Sequence, residues 1–339
     1  MGQNHKNTKY VLSIDGGGIR GLIPAKIPAA IEDQVTKNVK KYVQDEITKN
    51  RDAKLPKVDD IDVRIADLFD LVAGTSTGAI IALGLTVTNE KKRPKFTAND
   101  IVDIYINNRK RFFQKKFGDK RITDDDIVKK DGTAIKVLAP SFNITTNKRA
   151  FFANYESVSE EYIQKGWSYT VKGALMREAL RASTSAPAYF RSARLKLNEK
   201  PEEEYIDSGV FMNNPSVHAY SDAKFLFKNS EIVVVSLGTG FYKELPRNAT
   251  TRWLFPIINL MMTEESITSS TYVQKLLDED HYYRFTIKLE HAIDLDSVAD
   301  ADIKTLENTA NEIMNNNRRD NFEKLVKVLS NHYIEKLKN

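Results

Sequence analysis

The order in which short apolar runs, glycine turns and helical stretches follow one another constrains this chain more than any other feature. Residues 10–14 (YVLSI) form an apolar, β-branched run that stops at Asp15-Gly16-Gly17-Gly18. Residues 22–50 then place Ile27, Ile31, Val35 and Val39 on one helix face. Residues 68–75 read as a second buried strand, followed by a turn at Gly74-Thr75-Ser76-Thr77-Gly78 and a helix over 77–87. Strand signals at 135–138, 141–145 and 205–207, helical ones at 98–116, 170–182 and 214–227, and a strong apolar run at 231–237 continue the alternation. Such alternation predicts an α/β fold with a mostly parallel sheet and helices on both faces. Past residue 245 the pattern becomes helical and rich in Asn, Lys and Glu, broken by one strand-like stretch at 282–289. A sheet-bearing unit over 9–245 is therefore expected, with 246–339 packed on it as a mainly helical C-terminal layer.

Composition removes several chemistries. The 339 residues include no cysteine, which excludes disulfides, thiol nucleophiles and Cys-ligated metal centres. The five histidines never fall at H-x-x-x-H spacing, and no metal or organic cofactor is expected. A net charge of +5 suits contact with an anionic surface, while no nucleic-acid partner is expected. The basic cluster Arg109-Lys110-Arg111 with Lys115-Lys116 reads as a solvated helix face. The opening MGQNHKNTKY lacks the apolar core of a cleaved leader, and Lys6 stands where a myristoylation signal has Ser or Thr. Residues 71–89 are uncharged over the length of a membrane span, yet their glycines and hydroxyls read as strand, turn and helix. The expectation is a cytoplasmic protein, peripheral at membranes when active, with secretion lacking a cleaved leader left open.

Two turns could carry chemistry. In Gly74-Thr75-Ser76-Thr77-Gly78 the small residues two before and two after Ser76 permit a sharp strand-to-helix bend. The hydroxyl would then stand at a helix N-terminus, where the dipole favours developing negative charge. A Gly/Thr-rich helix cap explains the same residues equally well. The loop Asp15-Gly16-Gly17-Gly18-Ile19-Arg20-Gly21 bares consecutive backbone N–H groups beside an arginine, and next to Ser76 it would make an oxyanion hole. Its glycines also spell the dinucleotide pattern G-x-G-x-x-G. A long Lys-rich helix follows, however, rather than a second strand ending in an acid.

A serine hydrolase needs a base. His218, His281 and His291 follow Ser76 in the chain, but none lies in a catalytic-looking turn. Asp207 ends a short strand just before Ser208-Gly209, and partial desolvation there would raise its pKa and make it a better base. Capping that turn is the bland alternative, and chemistry alone does not choose between them.

Several blocks, taken in order, resemble the patatin-like phospholipase family. They are Asp15-Gly16-Gly17-Gly18-Ile19-Arg20-Gly21, Gly74-Thr75-Ser76-Thr77-Gly78, residues 182–190 (ASTSAPAYF), Asp207-Ser208-Gly209 with Asn213-Asn214-Pro215, and Ser236-Leu237-Gly238-Thr239-Gly240. The resemblance spans about residues 9–245. It implies a three-layer α/β/α sandwich and hydrolysis of lipid acyl esters by a Ser–Asp dyad without histidine. It puts the nucleophile on Ser76 and the base on Asp207, with the amides of Gly16, Gly17 and Gly18 as the oxyanion hole and Arg20 supporting them. The implied substrate is phospholipid at a membrane surface. Phe211, Met212 or the Trp253-Leu254-Phe255 stretch could guide its acyl chains, though such apolar residues are more often simply core. Relatives that need a trigger leave room for an activating partner or ligand; no oligomeric state can be read. The family usually has Asp-Gly-Gly or Asp-Gly-Ala at the base, and this chain has Ser208 in the middle place. A φ above zero there would strain a serine, so a weakened lipid- or partner-binding module of the same fold stands as the alternative.

Overall fold

The computed structural model describes residues 7–50, 54–107, 117–123, 133–197, 201–242, 254–317 and 319–338. Among them, nine strands form one sheet: β1 (Thr8–Ile14), β2 (Leu71–Gly74), β3 (Lys136–Asn143), β4 (Lys148–Ala153), β5 (Ser168–Val171), β6 (Ala193–Leu195), β7 (Glu203–Asp207), β8 (Glu231–Leu237) and β9 (Tyr282–Phe285). The main path runs β5-β4-β3-β2-β1-β8-β9, with β7 beside β3 and β6 beside β7. Pairings β1–β2, β1–β8, β2–β3, β4–β5 and β8–β9 are parallel, whereas β3–β4, β3–β7 and β6–β7 are antiparallel.

The described helices are α1 (Leu22–Lys49), α2 (Ile65–Leu68), α3 (Thr77–Thr86), α4 (Ala98–Asn107), α5 (Glu160–Gln164), α6 (Met176–Ser183), α7 (Ser216–Leu226), α8 (Leu254–Leu276), α9 (Asp300–Glu312) and α10 (Arg319–Lys338). Successive strand residues face opposite sides, so each central strand feeds two cores. Leu12, Ile14, Val72, Val233 and Val235 pack with α1, α3, α4, α9 and α10 on one face. Val11, Leu71, Ala73, Ile232 and Val234 pack with α7 and the end of α8 on the other. The fold is therefore a three-layer α/β/α sandwich with a mostly parallel sheet.

Local sequence accounts for most of this. Ile27, Ile31, Val35, Val39 and Val43 of α1 are fully buried at four-residue spacing. α4 opens with a reciprocal cap: the Asp100 N–H donates to Thr97 Oγ1 at 2.9 Å, and the Thr97 N–H donates to Asp100 Oδ2 at 2.8 Å. Several boundaries differ from the sequence reading. The strand expected at 68–75 is shorter, Leu71–Gly74, because Ile65–Leu68 makes a helical turn before it. The two strands expected at 135–138 and 141–145 are one, β3. The helix expected from 170 begins at Met176, because Ser168–Val171 pairs with β4. Residues 108–116, with the basic cluster, lie outside the described residues, as do His5 and Trp253.

The segment past residue 253 does more than cover the sheet. β9 extends it in parallel with β8, and α9 and α10 lie against α1. Among the described residues, no helix is long and apolar enough to cross a membrane.

Candidate active site

β3 brings the two expected residues together. One of its edges is taken by β4 over Leu138–Asn143. The other is shared: β2 pairs along the first part, with Ala73 opposite Leu138, and β7 comes in antiparallel along the second, with Asp207 opposite Ser141. The C-terminal ends of β2 and β7 thus meet head-on, about 10 Å apart along β3 at ~3.3 Å per residue.

Beyond the end of β2 the chain turns sharply into α3. Ser76 sits at the turn with φ 55 and ψ −121, a conformation non-glycine residues rarely adopt. The turn closes because Gly78 lies against β1: a Cβ there would stand 2.2 Å from the Ile14 carbonyl oxygen. The Ser76 N–H donates to Ser183 Oγ at 3.2 Å, and the Thr75 hydroxyl donates to the Met212 carbonyl at 2.7 Å.

Asp207 is buried, and its N–H donates to the Ser185 carbonyl at 3.0 Å. Its Oδ1 accepts the Gly209 N–H at 2.8 Å. Burial pushes the carboxyl up from an ordinary 3.8 to about 7, against the opposing pull of the Ser76 side chain and the Gly209 amide. Ser208 is not strained. It stands in a short 3-10 turn, outside the residues with positive φ, and its hydroxyl donates to the Pro140 carbonyl at 3.1 Å.

The glycine loop needs one correction. Gly16 was expected among the oxyanion donors, but its N–H donates to the Asn213 carbonyl at 2.9 Å, and its own carbonyl accepts the Thr239 hydroxyl at 2.7 Å. The N–H groups of Gly17 and Gly18 have no acceptor among the described residues. Gly18, at φ 58, passes so near Leu295 that a Cβ would come within 2.1 Å of its carbonyl oxygen. Arg20 lies behind the loop: its Nε donates to the Gly17 carbonyl at 3.4 Å, and its guanidinium faces the Tyr242 ring at 5.9 Å.

Ser76, Asp207 and Gly18 open onto one cavity of about 590 Å³, whose walls include Ile80, Tyr105, Tyr189, Met262 and Leu295. None of the described histidines lines it. His218 belongs to a separate cluster, with its Nε2 2.9 Å from Ser157 Oγ and its ring stacked on Phe151 at 4.5 Å. There the Ser157 hydroxyl donates to Asp222 at 2.6 Å, so the imidazole does not act as its base. His281 bonds Asp278, His332 packs on Tyr10, and His291 is exposed. Phe211 and Met212, expected to guide acyl chains, do not line the cavity either; Phe211 stacks on Phe142.

Sequence reasoning missed the supports supplied from beyond residue 253. Arg284 of β9 clamps Asp15 at the head of the glycine loop with bonds of 2.9 and 2.5 Å, and Ser266 of α8 donates to the same carboxylate at 2.6 Å. Glu265 accepts the Asn214 N–H at 2.7 Å and so steadies the turn that holds Gly16; burial raises its pKa to about 7. Leu295 accepts the Ile19 N–H at 2.8 Å. A lone arginine inside the apolar run YYRF was the available signal.

The chain is 28% identical to patatin-like protein 1 of Oryza sativa subsp. indica over 81% of its length and 73% of the relative's. It is 28% identical to patatin-like protein 2 of Arabidopsis thaliana over 70% of its length, spanning 61% of that protein. It is 26% identical to a Solanum tuberosum protein named "Probable inactive patatin-3-Kuras 1", over 81% of this chain and 77% of the relative. The profile described as patatin-like phospholipase matches residues 12–220, more than half the chain and inclusive of both turns and Asp207. On that match, the chain belongs to the patatin-like phospholipase family.

Proposed function

We propose that this protein is a phospholipase A, a lipid acyl hydrolase that works through an acyl-serine intermediate. The observation that carries the reading is that Ser76, at a sharp strand-to-helix turn, and the buried Asp207 carboxyl open onto the same largely apolar cavity.

A carboxylate poised near neutrality is matched to taking a proton from an alcohol during attack. Asp207 accepts the Ser76 proton as Oγ forms its bond to the ester carbonyl carbon. The oxyanion accepts hydrogen bonds from the Gly17 and Gly18 amides, which have no acceptor among the described residues. Removing one such donor typically costs ~100-fold or more in rate. As the tetrahedral species collapses, Asp207 returns the proton to the leaving lysophospholipid oxygen. Water then attacks the acyl-Ser76 ester with Asp207 again as base, releasing the fatty acid and restoring both groups.

The fatty-acyl chain occupies the cavity, whose volume of about 590 Å³ lies within the ~300–1,000 Å³ typical of small-molecule sites. Ser208, the residue that favoured a weakened binding module, is accommodated without strain and so no longer argues for that alternative.

The test is fatty-acid release from phosphatidylcholine and phosphatidylglycerol vesicles, with fluorophosphonate labelling in parallel. Wild type is expected to release fatty acid and to label at Ser76. Ser76→Ala loses both, and replacing the histidines leaves release intact. Full release by Ser76→Ala overturns the reading.

A further inference from the structure

The cavity mouth is ringed by apolar side chains that face solvent. Phe190 and Val298 line the cavity yet are 61% and 53% exposed. On α8, Ile258 and Met262 point into the cavity and are buried, whereas Ile257 and Met261, one residue earlier in each turn, are 44% and 46% exposed. Phe255, on the same turn of α8, stacks edge-on against Tyr189 at 5.0 Å and so ties the helix to the Tyr189-Phe190 side of the mouth. Three separate segments, the 186–191 turn, the start of α8 and the 295–298 loop, therefore present one apolar rim. Exposed apolar side chains grouped around one opening mark an interaction site rather than scattered surface residues.

Charge narrows the choice of partner. Arg181 and Arg191 stand on the cavity wall, both exposed, and neither has a carboxylate partner among the described residues. The facing acid on that wall is Asp296. An apolar helix row flanked by unpaired arginines is the pattern of a segment that lies in the headgroup region of a bilayer. The hole in the middle of the rim points the same way. A protein docked there would plug the cavity, whereas a bilayer would fill it with one of its own acyl chains.

We propose that this rim is a bilayer-docking face: α8 lies on an anionic leaflet with Ile257, Met261, Phe190 and Val298 among the acyl chains, and Arg181 and Arg191 on lipid phosphates. The inference rests on the acyl-hydrolase reading for the direction of substrate entry, but its test does not need turnover.

Binding is measured in the Ser76→Ala background, by co-sedimentation with phosphatidylcholine vesicles made with and without phosphatidylglycerol. Binding is expected to be stronger with phosphatidylglycerol and to weaken as salt is raised. The double variant Ile257→Glu with Met261→Glu is expected to lower vesicle partitioning roughly tenfold or more. The leucine pair at the same positions is expected to keep it. With Ser76 present, the glutamate pair should cleave a soluble short-chain ester as fast as wild type and melt at the same temperature. Unchanged partitioning of the glutamate pair overturns the docking face. So does a fall in oligomeric state without a change in partitioning, which would make the rim a contact between copies of the chain. Loss of partitioning in a protein that cleaves neither vesicle lipid nor soluble ester would support the docking face while removing the hydrolase reading.

Discussion

At the residue scale, Asp207 works against the fold that holds it. Its carboxyl is pushed from 3.8 to about 7 by burial, so the folded state binds its proton more tightly than the unfolded state does. Below the unfolded value both states are protonated and the group is neutral toward stability. As pH rises from about 4 to about 7 the folded protein loses stability, by up to about 4 kcal/mol from linkage, and the loss is complete above that window. Asp207→Asn keeps an acceptor for the Gly209 amide and removes the charge. It is therefore expected to melt higher than wild type at pH 8 and equally at pH 4, while losing fatty-acid release at both. The rate of the wild type, kcat/KM, should rise with pH through about 7 and then level, which a pH-rate profile on a soluble ester checks. Strand ends and glycine turns marked Ser76 and Asp207 in the sequence but left a helix cap and a turn cap equally open; only the order of the blocks around them singled them out. The fate of the Gly16 amide was not, because its acceptor, the Asn213 carbonyl, is backbone and nothing in side-chain identity marks it.

At the scale of elements, β8 and α1 were legible because burial on both faces, or at four-residue spacing, leaves a continuous apolar signature. β5 was not. It is a four-residue edge strand with a half-polar pattern, and only its pairing with β4 defines it. The more consequential element was also half-hidden: β9 reads as a strand, but its purpose lies in Arg284. That guanidinium and the Asp15 carboxylate are 12% and 2% exposed, so the pair is nearly dry. Removing one partner of a buried pair costs about 3–5 kcal/mol, because the survivor is left uncompensated. Arg284→Met is expected to lower the melting temperature accordingly. Arg284→Lys keeps the charge but loses the two-pronged grip. It is expected to fold and to lower kcat roughly tenfold or more with KM little changed, since in the proposed mechanism the glycine loop meets the oxyanion rather than the ground-state ester. An equal fall in kcat for a variant on the far side of α9, away from the loop, would deny Arg284 this positioning role.

At the scale of the whole molecule, the residues beyond 245 are not readily dispensed with. Leu306, Leu325 and Leu329 are fully buried against the core that α1 shares with the sheet, and Phe285 is buried in β9. Each such side chain contributes about 1.5–3 kcal/mol when removed from water. Together they rival the ~5–15 kcal/mol of net stability a whole domain commands. A chain ending at residue 245 is expected to be insoluble, or to bind an apolar dye and lack a cooperative melt, which expression followed by calorimetry decides. The nine-stranded sheet carries a further consequence. β1 lies at its centre, flanked by β2 and β8, and its Thr8 pairs with Glu231, 223 positions along the chain. On the ribosome β1 emerges first, and its second neighbour follows only 223 positions later. Until then one hydrogen-bonding edge of the central strand stays open. Such distant pairing makes folding slow, and the nascent polypeptide should depend on chaperones during synthesis.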